Sequence, residues 1–395
     1  MTSDQTLKVR DQRFGLKVFL AAVLVACVVS TLLTSLYFAS FVCPVVFPST
    51  VSYTIETNGI GNYWATRYDG KRFWEGRDAS FTINSAISSG KSVLLRDGTF
   101  ELRNYLSLKH GTILEGTGEN TVIKQAHGAN MDYLIYIHLK DGASFGRVQL
   151  RNFVLDGNKE RQTGGNGYGI YSETYSSVYS DLVLFRDLYV RNTYGIGIET
   201  SGNYYLFENV YVYNASSHGF VIKDYHARLE NTVARKNGGD GYVLRGTGLH
   251  SLIGVRSLQN LGNGIHFYGI DWSDLRSEMI GGSVMMNGQH GILFEGASSN
   301  KVLGVSLEGN SYSVANSSDN VHFKSYGSKH STNNILEGST LSMGIGQIKY
   351  QISEVDSNQD YNLVQGNQIL GDGQAGKILL QGSNSEEKNN ISSTI

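Results

Sequence analysis

The sequence predicts an all-β solenoid, a parallel β-helix closed at its start by a short capping helix and preceded by one transmembrane helix. Three observations carry this reading. A unit of Asn, a short turn, Gly and an alternating strand recurs about every 23 residues; the 395-residue chain has only 2 Pro, none of them after Pro48; and one long uncharged run stands near the N-terminus. Average usage would place about 5% Pro in such a chain. Its absence over more than 300 residues marks a backbone whose N–H groups are committed to ladders.

The apolar run extends from Val18 to Val42, 25 residues without a charge, enough to cross about 30 Å of hydrocarbon. Lys8, Arg10, Arg13 and Lys17 precede it, and the next basic residue is Arg67. The positive-inside rule keeps residues 1–17 in the cytoplasm and exports the rest, giving a type II single-pass protein. The run exceeds the roughly 7–15 residues of a signal-peptide core and ends without a small-x-small site, so a retained anchor is favoured over a cleaved leader. Both cysteines, Cys27 and Cys43, fall in or beside it, which excludes disulfides from the exported part. Three sequons, at Asn214, Asn316 and Asn390, are close to chance in so Asn- and Ser-rich a chain.

Residues 43–75, with Tyr53, Tyr63, Trp64, Tyr68 and Trp74, read as a stalk or a first strand. Asp78 to Gly90 offers an N-cap Asp, apolar Phe81, Ile83, Ala86 and Ile87, and a terminal Gly, the pattern of a short amphipathic helix covering the open end of a solenoid. Strands begin with SVLLRDGTFEL and TVIKQ. The repeat then places Asn at 192, 214, 237, 260, 287 and 310 and Gly at 195, 219, 241, 264 and 291. No helical pattern intervenes, which excludes leucine-rich and helical repeats. The Asn residues are expected to form a stacked amide ladder, with the Gly residues supplying left-handed backbone beside it. The β-helix is expected over 76–382, weakening after Asn333, and residues 383–395 read as a polar tail. Charged residues are 17% of the chain and the net charge is −2, so no basic field exists to hold a nucleic acid.

VLLRDGTFEL from Val93, LEGTGENTVIK from Leu114, LDGNK from Leu155, YGI from Tyr194 and VARKNGGDGYV from Val233 resemble the pectate-lyase-like right-handed parallel β-helix superfamily, and within it the mannuronan C5-epimerase-like proteins. The resemblance implies the right-handed coil. In those epimerases the Tyr-Gly-aromatic element runs into a catalytic Asp-Pro-His triplet. Gly197, Ile198 and Glu199 stand there instead, and the loop KERQTGGNG has Gly where a catalytic Lys is expected. Tyr194 alone matches, so the epimerase mechanism does not transfer. The paired Asp and Gly-His-Gly elements of polygalacturonase-like hydrolases are absent as well.

Alternation after each Gly assigns side chains to faces. Inward residues are Ile196 and Ile198, Phe220 and Ile222, Tyr242 and Leu244, Ile265 and Phe267, Ile292 and Phe294. An outward column reads Glu173, Glu199, Lys223, Arg245, Tyr268 and Glu295; immediately before the Gly stand Tyr168, Tyr194, His218, Asp240, Asn263 and His290. Neighbouring coils lie about 5 Å apart, so Tyr194, Glu199, Lys223, Arg245 and His218 are the candidate catalytic set, with Glu173, Asp240 and Tyr268 as substrate contacts. Such a patch suits a uronate polysaccharide: cations neutralise the sugar carboxylate and acidify its C5 proton, and Tyr, His or Lys removes it, giving a lyase or an epimerase. Glu173 and Glu199 as direct neighbours would instead match the roughly 5–5.5 Å of a retaining hydrolase. A non-catalytic surface module is the alternative, because opposite charges on adjacent strands also form plain surface ladders. Asp156 reads as an Asx turn residue. His226, His250 and His322 show no metal-ligand spacing; calcium bridging acidic residues of adjacent coils is the one cofactor left open.

Overall fold

The computed structural model describes residues 51–140, 147–175, 183–246, 248–270, 274–313, 316–344 and 347–393. The expected membrane span at 18–42 lies outside them. Among the described residues no helix is long and apolar enough to cross a membrane.

Three parallel ladders build the solenoid. The first runs from Ser92–Leu95 through Ile113–Gly116 and the leading halves of Val148–Asp156, Val183–Arg191 and Tyr205–Tyr213, then through three-residue strands. The second takes Gly98–Leu102, Thr121–Gln125 and the trailing halves of the same long strands. The third has 11 strands, from Leu106–Leu108 to Gly376–Leu379, all parallel. Chain direction changes at single residues with positive φ: Asn209 (54°) and Asn231 (52°) between the first two ladders, Asn214 (59°) and Lys236 (55°) after the second, Tyr204 (57°) and His226 (62°) after the third. Asn tolerates this region because its short polar side chain bonds locally.

This assigns the turn differently from the sequence expectation. The left-handed residue is the one before the buried Asn, and the repeated Gly is not left-handed. Its role is steric: a Cβ on Gly219, Gly241 or Gly264 would meet the carbonyl oxygen of the Gly one coil further on at 2.5–2.6 Å. The coils approach so closely there that only Gly fits.

Inside, the third ladder stacks aromatic rings at the coil spacing: Phe220 on Tyr242 at 4.8 Å, Phe267 on Phe294 at 4.9 Å and Phe294 on Phe323 at 4.8 Å, nearly parallel in each case. Beside them a buried amide ladder runs Asn237 to Asn260 to Asn287 to Asn310 to Asn320, each Nδ2 donating to the next Oδ1 at 2.7–3.0 Å. Asn192 and Asn214 precede this column by one residue. Their half-buried amides form a separate bond, and Ala215 N–H donates to Asn237 instead.

At the start, Tyr53–Thr57 pairs parallel with Ser92–Leu95 and antiparallel with Tyr63–Arg67, so this part of 43–75 is a first strand with a hairpin. The capping helix spans Ala79–Ser89, and Asp78 accepts from Ser80 N–H at 2.9 Å. Ile83, Ala86 and Ile87 bury as expected, whereas Phe81 is 58% exposed. The expected polar tail is partly a further coil: Glu386–Lys388 and Ile391–Ser393 extend the first and second ladders.

Candidate functional site on the outer face of the third ladder

Register decides which outward side chains meet. Ile198 pairs with Phe220, Glu199 with Val221 and Ser201 with Lys223. Gly197, not Gly195, is therefore the counterpart of Gly219, and the coil at 191–203 sits two residues away from its expected register. Ile198 stays in the core, its inward partner is Thr200, and Ile196 is only half-buried. The column before the Gly runs Tyr168, Ile196, His218, Asp240, Asn263, His290 and Asp319. Tyr194 falls outside this column. It is 37% exposed, with its Cβ 2.6 Å from where a side chain on Gly167 would begin.

Glu173 lies beside His138 and Ser201, so Glu173 and Glu199 are diagonal neighbours rather than direct ones. A diagonal step is about 7–8 Å, which does not meet the retaining-hydrolase spacing. Glu199 nevertheless reaches Lys223: the ammonium donates to the carboxylate, and Glu199 is only 5% exposed. Arg245 and Tyr268 follow Lys223 in its outward column, and Tyr268 stands beside Glu295. Burial, then the Tyr326 hydroxyl, pushes the Tyr268 phenol up to about 12.

Two features of this face were not foreseen. At the N-terminal end Tyr105, Tyr133, Tyr136, Tyr168 and Tyr171 form a continuous aromatic platform. Tyr133 stacks on Tyr136 at 4.6 Å, Tyr136 on Tyr171 at 6.0 Å and Tyr171 on Tyr168 at 5.5 Å. Tyr136 donates to Glu173, which also receives His138 Nδ1 at 3.0 Å. Burial raises the phenols of Tyr133, Tyr136 and Tyr168, so all stay neutral. The signal lay in YLIYIH and YGIYSE, where the alternating positions carry Tyr-x-His and Tyr-x-Glu.

Further along, His266 donates from one ring nitrogen to Asp240 at 3.1 Å and from the other to Glu295 at 3.0 Å, and Glu295 also takes Lys324 at 3.0 Å. Burial opposes the imidazolium, but the two carboxylates outweigh it and raise the His266 pKa. The carboxyls of Asp240 and Glu295 are held below their usual range: burial opposes this, and the His266 bond leads the compensation.

The column before the Gly is also a hydrogen-bond chain. His218 Nδ1 accepts from Asp240 N–H at 2.9 Å, Asp240 from Asn263 N–H at 2.6 Å, Asn263 from His290 N–H at 3.1 Å, His290 Nδ1 from Asp319 N–H at 3.0 Å and Asp319 from Tyr350 N–H at 2.8 Å. His218 is thereby neutral with its proton on Nε2, and burial lowers its pKa. Its 3.8 Å approach to Asp240 is not an ion pair. His322, which showed no ligand spacing, meets His290 and Asp319 in a cluster whose candidate ligand atoms lie within 4.8 Å of one another. Asp156 is the expected Asx residue, accepting from Asn158 N–H at 2.9 Å and pairing with Arg191 at 2.8 Å.

No protein-family model matches the chain, and no curated protein does. Among solved structures it is similar to the A-module of the mannuronan C-5 epimerase AlgE4 of Azotobacter vinelandii, with 20% identity, TM-score 0.64, and coverage of 78% of this chain and 95% of that one. It is also similar to the enzymatically active domain of bacteriophage CBA120 tailspike protein 2, at 18% identity, TM-score 0.58, and coverage of 80% and 51%. The catalytic domain of a GH87 alpha-1,3-glucanase in complex with nigerose aligns at 12% identity, TM-score 0.54, and coverage of 79% and 64%. The resemblance read from the sequence holds at the level of the parallel β-helix fold.

Proposed function

We propose that the protein binds a polysaccharide along the outer face of its third ladder. The observation that carries this reading is the tyrosine platform together with a row of ionisable and amide side chains on the same face, continuous from His218 to Asp319. Rings stacked face to face leave apolar edges and phenol groups toward a ligand, which suits the C–H and hydroxyl groups of sugars. Proteins named for action on mannuronan and alpha-1,3-glucan share the fold, which supports a glycan as ligand. Residues 18–42 would anchor the β-helix to a membrane, with the binding face extracytoplasmic.

A binding role is favoured over catalysis by the state of the cations. Lys223 is committed to Glu199 and Lys324 to Glu295, so neither is poised to neutralise a uronate. Lyase or epimerase chemistry at Tyr194, His218 and Arg245 is the second reading. The full chain in detergent, titrated with neutral and uronate polysaccharides, separates them. Binding weakened by Tyr133→Ala or Tyr171→Ala, without unsaturated or epimerised products, is expected. Wild-type binding that both substitutions leave unchanged would sink the assignment of this face.

A further inference from the structure

His290 and His322 stand on consecutive coils of the third ladder, their rings stacked at 4.2 Å and 14°. Together with Asp319 they have the composition of a metal site, but their protons argue otherwise. A backbone N–H can only donate, so the Asp319 N–H fixes His290 Nδ1 as an acceptor and places the ring proton on Nε2. Burial and the neighbouring His322 push the His290 pKa down to about 3, which keeps the ring neutral.

His322 is held the opposite way. Its Nδ1 lies 2.7 Å from Asp319 Oδ2, and Ser353 Oγ donates to that same oxygen at 2.6 Å. With the hydroxyl proton committed to the carboxylate, His322 Nδ1 must donate, and in the neutral ring this leaves a lone pair on Nε2. Asp319 remains ionised: burial opposes this, but the His322 and Ser353 bonds lower its pKa.

Both Nε2 atoms lack a hydrogen-bond partner among the described residues, and both side chains are 16% exposed. Both Nδ1 atoms face Asp319 Oδ2, at 4.0 Å from His290 and 2.7 Å from His322, so the stacked rings turn both Nε2 atoms away from it, one as an N–H donor and one as an acceptor. A metal ion bridging the two Nε2 atoms would need a lone pair on each, and the His290 Nε2 carries a proton. A hydroxyl needs one donor and one acceptor, which is what the pair supplies.

We propose that His290 and His322 form a subsite for a hydroxyl of a neutral saccharide, the hydroxyl donating to His322 Nε2 and accepting from His290 Nε2–H. Asp319 is the positioning residue, because it sets both tautomers: the first through its N–H, the second through its carboxylate. The subsite rests on the reading of this face as glycan-binding. It lies seven strand spacings, about 34 Å, from Tyr136 in the same outward column, so one ligand reaches both only if it is a chain of several sugars.

Asp319→Asn tests the subsite with little change in shape. The amide oxygen can still accept from Tyr350 N–H, while an amide N–H facing His322 Nδ1 moves the ring proton to Nε2, leaving two donors and no acceptor. The measurement is calorimetric titration of the full chain in detergent with neutral gluco- and manno-hexasaccharides and with Zn²⁺ alone. Histidine ¹H–¹⁵N correlation spectra read the tautomers. Wild type is expected to bind a neutral hexasaccharide, and Asp319→Asn and His322→Leu to bind it about tenfold more weakly, with the His322 tautomer reversed in the former. Three results would overturn the subsite: wild-type affinity in both variants, Zn²⁺ binding that His322→Leu abolishes, or an unchanged His322 tautomer in an Asp319→Asn protein that binds weakly. If Tyr133→Ala abolishes hexasaccharide binding while His322→Leu leaves it intact, the binding face stands and the subsite falls. If wild type binds no saccharide, both fall.

Discussion

The two faces of the third ladder use the same strands differently. The inner face repeats itself: one aromatic or aliphatic column after another, each ring on its predecessor, flanked by an amide ladder. The outer face changes chemistry every few coils, from tyrosines to a Lys–Glu pair, then to a carboxylate–imidazole chain and a histidine stack. Stacking at about 4.8 Å makes any inward side chain a neighbour of its own equivalents, so the inside rewards uniformity. Outward side chains need not match their own equivalents on the next coil, so their identities are freer to follow a ligand.

If that division is right, inner substitutions should be costly and outer ones mild. Phe294→Ala removes a ring packed on two others and fully buried. It should cost about 3–5 kcal/mol, read as a lowered urea midpoint. A loss under about 1 kcal/mol would show that coils slide to close the gap. Asn287→Ala comes next. Its oxygen accepts from Asn260 N–H and Nδ2, and its nitrogen donates to Ser257 and Asn310, all buried. Orphaning those groups should cost about 2–3 kcal/mol. A variant as stable as wild type would mean that water enters the ladder.

The sequence made the inner face legible and the outer one only in part. Core columns, capping helix and period were readable because burial imposes alternation on every coil. The register of 191–203 was not, because YGIGIE offers two Gly residues two apart, and a slip of two leaves each side chain on the same face. Hydrophobic patterning therefore cannot distinguish the two alignments. The error carried Glu199 and Tyr194 into columns they do not occupy, although Glu199 still reaches Lys223 through its length. The tyrosine platform escaped because its strands, Tyr133–Lys140 and Tyr168–Tyr175, precede the regular repeat. The His290, Asp319 and His322 cluster escaped because its members are separated by a coil of unequal length. The coil at 386–393 carries mostly exposed residues, with Ile391 its one apolar side chain, and so leaves too little alternation to read.

Between the two faces stands the Glu199–Lys223 pair, an outward contact with one buried member. Lys223→Ala leaves Glu199, 5% exposed, without its cation. Because the ammonium is 31% exposed, the loss should be about 1–2 kcal/mol rather than the larger figure for a fully buried pair. Adding Glu199→Gln should recover most of it in a double-mutant cycle. Independent, additive losses would show that the pair contributes nothing by its charge.

The smallest effect distinguishes the faces by pH. The inner amide ladder contains no titratable group, so the cost of Asn287→Ala should be the same at every pH. His266 behaves otherwise, being bonded to Asp240 and Glu295. Its folded pKa is raised, so its contribution is complete below the unfolded imidazole value and fades as pH rises through the folded one. The two carboxyls are lowered, so theirs is present above the unfolded carboxyl values and fades as pH falls through the folded ones. The three-coil link is therefore strongest between about pH 4.5 and 6.5. His266→Gln should cost about 1 kcal/mol there and less at about pH 9, followed as the difference in Tm from wild type across that range. A difference that is flat with pH would mean that His266 is held neutral and that the outer face is, in this respect, built like the inner one.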